Sequence, residues 1–206
     1  MATIRLRPAP FTEKGAERVA AILDAAKDVL VEDGFAALSY REVARRTGMT
    51  VGNVGYYFPS KDKLLVALAE HIFDRWDARF RRHVPPDLRS GCETFLYSIR
   101  FMIAENKRPK TKSLLLEMWA MANRSRAIMG MMDTFYRRMR RWIEAMLEEI
   151  DPTPGVHARR LRAALITAQI EGLMLLIGPN SPAAAELVGI EEEAVRQIAR
   201  IAQIDL

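Results

Sequence analysis

Apolar residues recur at spacings of three and four along almost the whole chain, and glycines and prolines interrupt that rhythm. Together these features predict a series of amphipathic α-helices. Val19, Ile22, Leu23, Ala26, Val29 and Leu30 form one apolar face, closed by Gly34, so a first helix is expected over about 12–33. Leu64, Leu65, Leu68, Ile72, Trp76 and Phe80 form another, running to the Pro85-Pro86 break. Further faces are Phe95, Ile99, Met102 and Ile103; Leu114, Leu115, Met118 and Met121; and Ile128, Met132, Phe135, Met139, Trp142, Met146 and Ile150. After the loop Asp151-Pro152-Thr153-Pro154-Gly155, Leu161, Leu165, Ala168, Gly172, Leu175 and Leu176 continue the pattern to Gly178-Pro179, and a last helix is expected over about 190–204. With no alternating strand run and no hairpin dipeptide, the expected fold class is all-α.

At 206 residues, half of them apolar and 28% charged, the chain is long enough to bury a substantial core and too apolar to be disordered. Its longest apolar stretch, 163–177, is broken by Thr167, Gln169 and Glu171, which excludes a membrane span, and Met1–Pro10 lacks the apolar segment of a secretory signal. A cytoplasmic location without membrane contact is expected. One cysteine, Cys92, and three scattered histidines leave too few ligands for a structural metal, and no cofactor is expected. The net charge of +5 permits contact with a polyanion without establishing it. Its placement says more. Between Ala36 and Lys63, Arg41, Arg45, Arg46, Lys61 and Lys63 outnumber Glu42 and Asp62, while Glu186 and Glu191–Glu193 make the far end acidic.

The basic segment also has the most distinctive local grammar. Ser39-Tyr40-Arg41-Glu42 reads as a capping box, with the serine accepting a backbone N–H and the glutamate reaching back. The helix it opens ends at Gly48; Thr50 caps another from Val51 to about Phe58, Pro59 stops it, and Ser60 caps the next. Two short capped helices about a glycine form a helix-turn-helix, which lays its second helix in the DNA major groove, although plain helical bundles also contain such corners. Arg41, Arg45, Arg46, Asn53, Tyr56, Tyr57 and Lys61 supply donors suited to phosphates and base edges. Phe58, an apolar ring just before Pro59, is expected in the core instead.

These residues resemble a known family. Arg18, Ile22, Ala25, Ala26, Gly34, the run Leu38 to Ala44, Gly48, and Thr50 to Lys61 followed by Leu64-Leu65 are similar to the N-terminal region of the tetracycline-repressor (TetR) family. The resemblance covers about the first third of the chain. It implies an all-α homodimeric transcription regulator, usually a repressor, with a three-helix DNA-binding domain and a larger C-terminal domain that binds a small inducer and holds the dimer together. On this chain that implies a DNA-binding domain at 1–60 and a ligand-binding, dimerising domain at 61–206, joined by a linking helix at 61–82. It also implies base contact from Val51, Gly52 and Gly55, mainly phosphate contact from Asn53, Tyr56, Tyr57 and Lys61, and backbone or base contact from Tyr40 and Arg41. Ser39 and Thr50, the two caps, belong to the same surface. The family commonly carries a tyrosine where Gly55 stands, so Arg41 to guanine and Asn53 to adenine are the expected direct contacts, with Val51 against a thymine methyl and DNA shape supplying the rest. Arg5-Leu6-Arg7 could enter the minor groove as an arm.

Nine of the eleven methionines lie between Met102 and Met174, and flexible thioethers suit a pocket for an apolar ligand as well as an ordinary core. Phe95, Ile99, Met102, Met118, Met121, Phe135 and Met139 are the candidate lining, with Glu171 as an orienting polar group. Glu117 is expected to be an ordinary surface carboxylate. Ala164, Ala168 and Gly172, spaced by four, give a smooth surface for close helix approach, and with Leu161, Leu165 and Leu175 they are the candidate dimer interface. The expected function is a regulator, most simply a repressor, released from palindromic double-stranded operator DNA by a small, largely apolar effector. A helical enzyme with an apolar pocket and a non-DNA-binding helical adaptor are the alternatives. Neither finds a catalytic motif in this sequence, and no enzymatic activity is expected.

Overall fold

Thr12 turns its hydroxyl onto the N–H of Gly15 and opens α1 (Glu13–Glu32), the first of nine helices in a computed structural model that describes residues 12–88, 90–178, 181, 183 and 185–204. The arm Arg5-Leu6-Arg7 lies outside the described residues. A single 3-10 turn, Phe35–Ala37, separates α1 from α2 (Tyr40–Thr47); α3 (Val51–Tyr57) and α4 (Lys61–His83) follow. Then come α5 (Gly91–Asn106), α6 (Pro109–Ala122), α7 (Arg126–Ile150), α8 (Val156–Leu173) and α9 (Ile190–Ala202). No strand occurs among the described residues, so the all-α expectation holds.

The helix boundaries follow local chemistry, with three departures from the sequence reading. Ser39 accepts the Glu42 N–H at 3.2 Å, but the Glu42 carboxylate turns to Arg45 and Arg46 rather than back to the cap, so only half of the expected capping box forms. The complete box stands at Ser90 and Glu93, opening α5. Second, α8 stops at Leu173, and Met174 to Leu176 continue as tighter turns bonded three residues back, although the apolar spacing runs on to Leu176. Third, α9 ends at Ala202 because Gln203 adopts a left-handed conformation.

The chain divides into two compact units. One runs through Asp74 and takes in Leu114–Phe135; the other holds Arg75–Ser113 and the chain from Tyr136 onward. In the first, α1 packs on α2 and α2 on α3. Ile22, Ala26, Val29 and Leu30 of α1 meet a core completed by Leu38, Val43, Val54, Phe58, Leu64, Leu65 and Leu68, all essentially excluded from water. Each of the larger side chains among them contributes about 1.5–3 kcal/mol on burial, which is enough to fix short helices that would not persist alone. In the second unit, α5, α8 and α9 pack on one another around Phe95, Ile99, Ala163, Ile166, Ile170 and Ile198.

Candidate nucleic-acid interface

The corner between α2 and α3 is built from backbone requirements. Gly48 takes the left-handed conformation (φ 69°) that ends α2, and Thr50 accepts the Asn53 N–H at 3.1 Å to start α3. Val54 and Phe58 point inward and are buried, as expected for Phe58. The opposite face of α3 is open: Gly52 and Asn53 are exposed, Val51 is 48% exposed and Tyr56 65%. Tyr57 is half-buried and meets the Tyr56 ring edge-on, with centroids 5.2 Å apart. Neither glycine is required by packing. A Cβ at Gly55 would stand 3.9 Å from Tyr40 Cε2, and one at Gly52 3.8 Å from Thr50 Oγ1, both ordinary contacts.

The cations around this face are not equivalent. Arg41 is exposed and forms no ion pair among the described residues. Arg45 shares Glu42, at 2.6 Å. Arg46 is largely covered, held by Glu32 at 2.7 Å, by Glu42 at 3.0 Å and by Asp33, so it joins α2 to the end of α1 and is not an open donor as the sequence reading had it. The two guanidiniums hold the Glu42 carboxyl down to about 2. Tyr40 donates its hydroxyl to the Phe58 carbonyl, and burial pushes its phenol up. Lys61, exposed at the start of α4, places its ammonium 4.4 Å from the Phe35 ring centroid, and partial burial draws its pKa down. Ser39 and Thr50 are exposed beside this face, their hydroxyls serving as caps.

The candidate ligand residues do not form one described site. Phe95, Ile99, Met102 and Met139 are buried in the second unit; Met118 is buried, and Met121 and Phe135 half-buried, in the first. Glu171 accepts from Asn106 Nδ2 at 3.0 Å and from the Tyr136 hydroxyl at 2.5 Å, and desolvation raises its pKa against those two bonds. The sequence reading missed Asn106 and Tyr136, although each follows the apolar face of its helix and is buried there. A cavity of about 530 Å³ in the second unit is lined by Lys107, Leu176, Ile177 and the segment 187–192 among others, and by none of the candidates. The candidate dimer residues share an open face of α8 and the turn after it. Leu161, Leu165 and Leu175 are 53%, 59% and 64% exposed, Ala168 and Gly172 are exposed, and Ala164 is half-buried.

Among the described residues, no group of three or more histidine, cysteine or acidic side chains is placed to hold a metal, and no helix is long and apolar enough to cross a membrane.

Comparison with known proteins gives a consistent result. Residues 22–68 match the family described as bacterial regulatory proteins, tetR family, and residues 99–200 match the BetI-type transcriptional repressor C-terminal family. An HTH-type transcriptional regulator in the dhlA 5′ region of Xanthobacter autotrophicus is 30% identical over 157 residues, covering 73% of this chain and 75% of that protein. The HTH-type transcriptional regulator BetI of Paraburkholderia phymatum is 27% identical over 160 residues, covering 77% and 80%. A TetR-family regulator structure from Rhodococcus sp. superposes with a TM-score of 0.69 at 22% identity, covering 91% of this chain and 99% of the other.

Proposed function

Because the chain belongs to the tetR family of bacterial regulatory proteins, we propose that this helix-turn-helix transcriptional regulator is a repressor that grips a palindromic operator as a homodimer and releases it on binding a small, largely apolar effector. One observation carries the DNA-binding part. The outward face of α3 leaves Val51, Gly52, Asn53 and Tyr56 exposed and Gly55 and Tyr57 half-buried, while Val54 and Phe58 fix its back to the core. A short helix held in this way suits insertion into a major groove, with Arg41 and Asn53 reading base edges, and Tyr56, Tyr57 and Lys61 meeting phosphates. Tyr40, Ser39 and Thr50 shape that surface.

On this reading residues 1–60 read DNA, residues 61–206 bind the effector and dimerise, and 61–82 link the two. The open apolar stripe of Leu161, Ala164, Leu165, Ala168, Gly172 and Leu175 supports self-association, since apolar surface of this kind is stabilised by burial against a second copy. The side chains proposed for effector contact are Phe95, Ile99, Met102, Met139 and Glu171 in the second unit and, separately, Met118, Met121 and Phe135 in the first. Two recognition helices must be spaced by about 34 Å to enter successive major grooves. An effector that prefers a mis-spaced state by a few kcal/mol therefore releases the operator.

The test is direct. A duplex enriched from random sequence by repeated binding to the purified protein is expected to be palindromic and to weaken steeply with salt. Lys61→Ala should reduce the salt slope by about one. Asn53→Ala and Arg41→Ala should each relax preference at a base position; unchanged preference in both refutes their reading role. Salt-independent binding, or failure to enrich any duplex, sinks the proposal. Metabolite screening by thermal shift then finds the effector, because a ligand at about 100 times its Kd adds about 2.7 kcal/mol to stability.

A further inference from the structure

Residues of four helices, all within the first unit, converge on the turn after α1. The Arg46 guanidinium of α2 holds Glu32 and Asp33 at the end of α1. Gly34 follows with φ 78°, and the N–H of Phe35, the first residue of the 3-10 turn, donates to Glu117 Oε1 of α6 at 3.2 Å. Such a first N–H has no acceptor within its own turn and takes one from outside, here the carboxylate in place of water. The Phe35 ring in turn lies under the ammonium of Lys61, the first residue of α4. Phe35 is thus held through its backbone by α6 and holds α4 through its ring.

Glu117 is exposed, as its sequence position suggests, yet its carboxylate has a defined partner. It reaches across 82 positions of sequence to one amide. Gly34 permits the approach: a Cβ there would stand 2.9 Å from Glu117 Oε1 and 3.4 Å from Oε2, and the left-handed backbone independently disfavours any side chain.

We propose that Glu117 is a positioning residue for DNA binding: by accepting the Phe35 N–H it fixes the turn at 34–37, and the Phe35 ring sets where the Lys61 ammonium stands. The inference rests on the reading of Lys61 as a phosphate contact. It gives that reading a handle within the first unit.

The test uses full-length protein and the enriched duplex, with amide hydrogen exchange at Phe35 as a second readout. Glu117→Ala is expected to weaken DNA binding about three- to tenfold and to speed Phe35 exchange, while the folded protein melts cooperatively as wild type does. Glu117→Gln keeps an acceptor oxygen and should restore both. Phe35→Leu should weaken binding to a similar degree, and the double variant with Glu117→Ala no further, because both act through one chain of contacts. Wild-type affinity and exchange in Glu117→Ala, or a Gln variant as weak as the Ala variant, overturns the role of Glu117 while Lys61→Ala still weakens binding. A Lys61→Ala protein that binds as wild type does overturns the phosphate reading and this proposal with it.

Discussion

The hydroxyl of Tyr40, at the start of α2, donates to the backbone carbonyl of Phe58, at the end of α3. That bond ties the far end of the outward-facing helix to its neighbour, beside the apolar anchor of Phe58 itself. Burial pushes the phenol up, so the donor keeps its proton throughout the neutral range. Tyr40→Phe removes the bond and keeps the ring. It is expected to cost about 0.5–1.5 kcal/mol in urea unfolding and to weaken duplex binding severalfold. Unchanged stability would show that Phe58 packing alone holds α3.

Glu42 gives the helix-turn-helix a characteristic acid response. Hydrogen bonds from Arg45 and Arg46 hold its carboxyl at about 2 against an ordinary 4.5. A depressed folded-state pKa means the stabilisation is complete above 4.5 and is lost as pH falls through the folded value. Thermal melts of wild type between those two values should therefore decline more steeply than melts of Glu42→Gln. Parallel pH curves for the two proteins would contradict the assignment.

Glu171 responds in the opposite direction. Desolvation raises its carboxyl, only partly offset by the donors Tyr136 and Asn106, so the folded state retains the proton longer than the unfolded chain does. Stability is lost as pH rises from the ordinary value through the folded one. Glu171→Gln keeps the size and an acceptor for Asn106. Its melting temperature should lie near that of wild type at about pH 4 and above it at about pH 8. A constant difference across that range would show that the carboxyl is not desolvated in solution.

The exposed stripe on α8 has a simple readout. Leu165, 59% exposed, lies between Leu161 and Ala168 on the open face. A buried leucine contributes about 1.5–3 kcal/mol, and a glutamate in its place leaves an unpaired charge in apolar contact. Leu165→Glu is expected to weaken self-association at least tenfold in sedimentation equilibrium while the helix content in circular dichroism is unchanged. A variant that remains as dimeric as wild type places the interface elsewhere.

What could be read from the sequence was local. Thr50, Gly48 and Pro59 act within a few residues of themselves, and they located α3 and its exposed face. The half-formed box at Ser39 shows where such reading fails, because Glu42 had a choice between its own cap and two arginines one turn on, and the charged partners won. Arg46, read as an open donor, is occupied by Glu32 and Asp33 of the preceding helix. Glu117 and Phe35 stand far apart in sequence, and Asn106, Tyr136 and Glu171 come from three helices. No periodicity announces such partners. The apolar spacing that runs to Leu176 likewise hid the end of α8, because tight turns can present the same faces for one more round.

Gly52 is exposed and Gly55 half-buried on α3, and a Cβ at either would make only ordinary contacts. Exchange of either for alanine should firm the helix by up to about 1 kcal/mol. If α3 reads DNA as proposed, a larger residue at exposed position 52 alters what the helix presents to the groove, so a duplicated gene would diverge in the promoters it recognises by a single codon change, with the scaffold beneath undisturbed.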